Sequence, residues 1–150
     1  MTALVPRLRA RLGDRESGMV TAFVVIFTLA LLLMAGLVLD GGLALSARVH
    51  AIDDAQAAAR AGAQAINIPV YRATGQITLD PTQATADAQH YLVAAGNTGT
   101  VAVNGNQVTV TVTIIQPTQI LGLAGISHFT ETGTGSATAE QGNNQIAGGP

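Results

Sequence analysis

From Met19 to Leu39 the chain runs for 21 residues, MVTAFVVIFTLALLLMAGLVL, without one charged side chain. No other stretch limits the possible folds so tightly. Its only polar side chains are Thr21 and Thr28, whose hydroxyls can bond back to a helical carbonyl. As a helix rising ~1.5 Å per residue, the run spans roughly 32 Å, close to the ~30 Å hydrocarbon thickness of a bilayer. A helix also satisfies its own backbone polar groups, as lipid requires. The competing reading is a buried helix of a soluble core. After the run only about 110 residues remain, enough for one small domain and too few to surround such a helix. Residues 1–18 therefore read as a basic cytoplasmic leader and 19–40 as a transmembrane helix. Residues 41–140 read as an extracytoplasmic domain, and 141–150 as a flexible tail.

Charge sets the orientation. Before the run, Arg7, Arg9, Arg11 and Arg15 stand against Asp14 and Glu16, a net of +2. After it, Arg48, Arg60 and Arg72 stand against seven acidic residues, a net of −4. Basic residues close to a span stay on the cytoplasmic side, so the amino terminus is expected inside and the domain outside. Scattered Arg on an acidic domain also argues against a nucleic-acid partner, which needs a concentrated basic patch. The leader places Leu4, Leu8 and Leu12 at the spacing of one helical face; the alternative is a mobile tail whose Arg residues meet anionic headgroups. A cleavable signal peptide is a further reading, with Ala44-Leu45-Ser46 before Ala47 as its best site. The run is longer than the 7–15 residues usual for a signal core.

Beyond the run, Asp40 marks the membrane exit, either as a boundary marker or as a packing partner of another subunit. Gly41 and Gly42 each cost ~1 kcal/mol of helix propensity and permit a bend. Helix-permissive sequence then resumes and is expected to run to about Asn67, where Pro69 stops it. Leu45, Val49, Ile52, Gln56, Ala59, Ala63 and Ile66 form one apolar stripe, read as the face that covers the domain core. The adjacent stripe, Ala44, Ala47, Ala51, Ala55, Ala58, Gly62 and Ala65, is small throughout and invites a close neighbour. Residues 69–80 read as a loop with one short strand at Gln76–Leu79. Asp80 is a suitable N-cap for a second helix starting at Pro81, with Ala84, Ala88, Leu92 and Ala95 on its inner stripe and Gly96 ending it.

The segment TVAVNGNQVTVTVTII alternates valine and threonine and predicts a hairpin. Asn104-Gly105 suggests a type I′ turn with Val101 facing Val108; a one-residue shift pairs Val103 with Val108 instead. A third antiparallel strand is expected from FTETGTGSATAE, with Gly133, Gly135, Ala137 and Ala139 on one side. The apolar, glycine-broken piece QPTQILGLAGISHF between them is placed across the membrane-proximal end. The fold class is thus α+β and pilin-like: a long N-terminal helix packed on a small antiparallel sheet of about three strands, with a second short helix.

Chemistry-bearing residues are sparse. The chain has no cysteine, hence neither a disulfide frame nor a thiolate metal site. His50, His90 and His128 fall on two helices and a loop, without metal-ligand spacing. Asp53 and Asp54 are adjacent on a helix and diverge by about 100°; Asp54 sits four residues after His50 as a surface pair. No phosphate cradle or nucleophile elbow is present. The expectation is a protein that is not an enzyme, with no cofactor and no metal.

Glu16-Ser17-Gly18 before the span, Gly36-Leu37-Val38-Leu39-Asp40-Gly41-Gly42 at its outer end, Arg48 and the AQAAARAGAQA of residues 55–65 together resemble the TadE/TadG-like proteins of Flp (tight adherence) pilus assembly. TVTVTI and LGLAGI add a weaker likeness. The resemblance implies a membrane-anchored pseudopilin or minor-pilin-like component of a Flp/Tad-type pilus or related secretion apparatus in the bacterial inner membrane. Its partners would be membrane lipid and other pilin-like subunits or pilus assembly proteins. It also implies Gly18-Met19 as a leader-processing position. Pilins carry a glutamate five residues into the mature chain; Phe23 stands there in this sequence. Ala22, Ala30, Ala35 and Gly36 are candidates for close helix–helix packing in lipid. The alternative is a secreted or surface-tethered binding domain unrelated to pili, for which the run is only a signal or an anchor.

Overall fold

A computed structural model describes residues 5–140 of the chain, with side chains from Gly18 onward. The Leu4/Leu8/Leu12 face and the 141–150 tail lie outside what it describes. Three helices and three strands follow in order: α1 (Val5–Gly62), α2 (Ile68–Thr74), α3 (Pro81–Ala94), β1 (Gly99–Asn104), β2 (Gln107–Pro117) and β3 (His128–Thr138), with a 3-10 turn at Leu121–Ala124 before β3. The fold is α+β, with a long apolar N-terminal helix and an antiparallel sheet ordered β1-β2-β3. Contacts group the chain into two compact units. Among the described residues, one joins those up to Gly41 with Thr118–Ser127; the other joins Gly42–Pro117 with those from His128 on.

The second unit is built on small residues. Ala51, Ala55, Ala58 and Ala59 of α1 are completely buried, together with Val108, Val110 and Val112 of β2. Gly133 and Gly135 of β3 make this possible. A Cβ on Gly133 would lie closer than 3.0 Å to the backbone of Ala51 and Ile52, and one on Gly135 equally close to Ala55 and Gln56. The helix backbone therefore lies directly on the strand. With so little side-chain volume between them, dispersion contact comes from backbone and methyl groups at short range. The small stripe has the close neighbour it invites and is the main core face. The adjacent stripe covers the core only at its far end, where Ala59 is buried and Ala63 packs on the cluster. Leu45, Val49 and Ile52 are exposed, which corrects the expectation for them.

The end of α1 also differs from expectation. The helix stops at Gly62, about five residues early. A side chain there would collide with the Ala84 carbonyl, so α1 is shaved to glycine where α3 crosses it. The chain then turns, and Ile66 forms an isolated bridge with Leu79 in place of a Gln76–Leu79 strand. The expected 69–80 loop contains helix α2. Asn67 caps it by accepting from the Val70 N–H, and Pro69 stands at its start. Proline lacks an N–H, which the first helical turn leaves unbonded anyway, so it begins a helix here and ends none. α3 follows its sequence signals: Asp80 accepts from the N–H groups of Thr82 and Gln83. At its other end Gly96 N–H donates to the Val93 carbonyl and Asn97 N–H to Leu92, the paired bonds of a Schellman ending.

The hairpin takes the shifted register, with Val103 opposite Val108 and Asn104 opposite Gln107. Gly105 and Asn106 are then the two loop residues. Gly105 has φ 59° and no non-glycine residue among those described has positive φ, so the turn does not meet the type I′ requirement. Asn106 explains the choice. Its side chain accepts from the Leu79 N–H and donates to the Ile77 carbonyl, and its carbonyl accepts from Ala139. These ties hold the turn to two neighbouring segments. On β2's other side, β3 pairs along its full length, from Gln107 opposite Thr138 to Pro117 opposite His128.

Candidate functional site

The most unusual side chain in the molecule is Asp40. It is only 1 % exposed and, among the described residues, is the one charged residue in the buried set. Its carboxylate is held by three consecutive backbone N–H groups. Oδ1 accepts from Gln119 at 2.8 Å, and Oδ2 accepts from Ile120 at 3.0 Å and Leu121 at 2.7 Å. These donors open the 3-10 turn Leu121–Ala124, whose N-cap residue, Ile120, has no side-chain acceptor of its own. The first N–H groups of any helical turn lack partners within the turn and carry partial positive charge. Here a carboxylate some 80 residues away in sequence supplies the cap. Hydrogen bonds to an ionised acceptor are the short, strong ones, and three on one carboxylate make a clamp.

One turn before Asp40, the same face of α1 carries Gly36. A Cβ there would meet Ile120 Cγ2 at 2.6 Å, so the isoleucine occupies the space a side chain would need. Gly36 and Asp40 are four residues apart and so lie one above the other on the helix. Together they form a notch and a hook for Thr118–Ser127. Within that segment the Thr118 N–H donates to the Ser127 carbonyl and the Ile126 N–H to Leu121. Leu121 is buried, whereas Leu123 is 89 % exposed.

The other sequence-chosen positions lie elsewhere. Gly18 and Met19 are exposed, and nothing approaches Gly18. Gly41 and Gly42 are exposed within unbroken helix, with open space beside them. Ala22, Ala30 and Ala35 are exposed too. At about 100° per residue, these three and Gly36 spread round the helix at roughly 0°, 80°, 220° and 320° rather than along one line. Asp40 and Gly36 are the two that the fold brings together. Sequence reasoning missed their common partner, the 119–121 backbone. The available signal was a helical turn without a capping side chain, paired with a lone acid at the end of an apolar helix.

Around the helix upstream of this site, apolar side chains face outward. Phe23 and Phe27 stack with ring centroids 5.9 Å apart, and their neighbours from Met19 to Leu39 are nearly all exposed. Among the described residues, Gly18–Gly62 is the one helix with a stretch long and apolar enough to cross a membrane. His50, His90 and His128 are exposed on α1, α3 and β3. Asp54 accepts from the Asn97 side chain at 2.7 Å, a partner other than the His50 expected for it. Among the described residues, no three His or acidic side chains are placed to hold a metal ion.

No curated protein and no solved structure matches the chain. Residues 18–65, which hold the apolar helix, Gly36, Asp40 and the small stripe that packs on the sheet, match the Tad family model of TadE/G-like Flp pilus-assembly proteins.

Proposed function

We propose that the protein is a non-catalytic, membrane-anchored component of a Flp/Tad-type pilus or related secretion apparatus, pseudopilin-like or minor-pilin-like in form. The observation that carries this reading is the outward-facing apolar surface of α1 inside the family-matched segment. Exposing that many Leu, Val, Ile and Phe side chains to water costs roughly 1.5–3 kcal/mol each relative to burial, and lipid removes the cost. In this reading the leader stays in the cytoplasm, and the sheet-bearing unit lies outside and meets other pilus components. Phe23, in place of the pilin glutamate, favours a fixed assembly component over a shaft subunit.

The test is membrane fractionation of the native host followed by intact-mass analysis. The expected result is an uncleaved chain that resists extraction at high pH. A mature terminus at Met19 would move the protein to the filament route. A terminus near Ala47 would sink the anchor and leave a released binding domain.

A further inference from the structure

We propose that Thr118–Ser127 is a second membrane contact, a loop that enters the lipid interface with Leu123 and Ile126 leading. The inference rests on the anchor reading above and adds a surface to it. The segment TQILGLAGIS has no ionisable side chain. Its contact with α1 is at Gly36, inside the charge-free run Met19–Leu39, and at Asp40, immediately after it. When that run lies in hydrocarbon, the segment lies at the level of the run's last turn.

Its side chains divide accordingly. Leu121 is 7 % exposed, and Ile120 packs on Gly36. Leu123 and Ile126, at 89 % and 45 %, face away. Non-helical backbone tolerates that depth only when its polar groups are bonded internally. Asp40 takes three N–H groups, and the segment's own carbonyls take those of Thr118, Leu123, Gly125 and Ile126. The Thr118 hydroxyl donates to the Ile126 carbonyl. The buried carboxylate is thus what lets a polar backbone sit beside lipid. Lipid is the favoured occupant over a protein because the exposed pair continues the apolar surface of the helix to which it is pinned.

The chain has no native cysteine, so single labelling sites are available. The full chain, carrying an environment-sensitive fluorophore at L123C, V25C or V93C, is reconstituted in phosphatidylethanolamine/phosphatidylglycerol vesicles. Val25 reports the anchor, and Val93, 75 % exposed on α3, reports the outer unit. The expected result is quenching of the Leu123 probe by shallow nitroxide lipid several-fold above that of the Val93 probe, with iodide quenching several-fold below it. A Leu123 probe open to iodide, alongside a lipid-quenched Val25 probe, overturns the loop and leaves the anchor standing. A Leu123 probe reached by neither quencher places it against protein and also overturns the loop. A Val25 probe open to iodide overturns both readings.

Discussion

The two halves of α1 treat side-chain size in opposite ways. Between Met19 and Leu39 the large apolar residues point outward and are exposed, whereas between Ala44 and Ala59 the buried residues are all alanine. In the first half only Gly36 is buried, and one isoleucine fills its notch. In the second, a whole row of small residues lies on two glycines of β3. Burial follows close approach rather than hydrophobicity. Where the partner is another backbone, the smallest side chain goes in; where no other segment of the chain approaches, size is unrestricted.

The largest expected effect attacks the close approach itself. Gly135→Val would drive two methyl groups into the α1 backbone and should destabilise the sheet-bearing unit by about 3 kcal/mol or more, since a backbone cannot rotate away as a side chain does. Thermal unfolding of the full chain in nanodiscs, followed by circular dichroism, measures it. An unchanged midpoint would mean that the helix does not rest on β3. Leu92→Ala removes the largest buried side chain of α3, which touches β1 at Gly99. The loss should be about 2–3 kcal/mol, toward the low end for such truncations.

Asp40→Ala probes the other half. It strips the cap from three N–H groups, and amide exchange at Gln119, Ile120 and Leu121 should accelerate by roughly tenfold or more as the segment opens locally. The unfolding midpoint of the sheet-bearing unit should hold. Equal loss in both places would show the two to be one cooperative body. The smallest effect sharpens the contrast: Val49→Ser, on the exposed large stripe, should change stability by no more than about 0.5 kcal/mol. A loss comparable to Leu92→Ala would mean that this stripe, not the alanines, faces the core.

Much of the second unit was legible. The Asp80 cap, Pro81 start and Gly96 ending of α3 are local signals that nothing overrode. The valine alternation named the buried face of β2, and the third strand lies where the need for a second partner put it. Misreadings came where two signals competed. Pro69 was compatible with ending a helix or beginning one, and Asn67 decided it by capping. Two stripes of α1 were apolar enough for a core, and the choice between them lay in β3's glycines, Gly133 against Ala51 and Gly135 against Ala55, far along the chain. The turn register depended on Asn106 bonding to Ile77 and Leu79, a contact that local propensity cannot contain.

The sequence by itself determined what is set by composition and short-range period. That covers the charge-free helix and its length, the charge asymmetry about it, the α+β order of elements, the inward valines, and the poverty of catalytic groups. Tertiary structure alone decided how close backbones come and which distant groups meet. It made the small-residue stripe the core, stopped α1 at Gly62, and joined Asp40 to an uncapped turn that lies 79 to 81 residues along the chain. The reason is range. Propensity and periodicity act over a few residues, whereas a buried carboxylate must be satisfied by whatever donors the fold delivers to it.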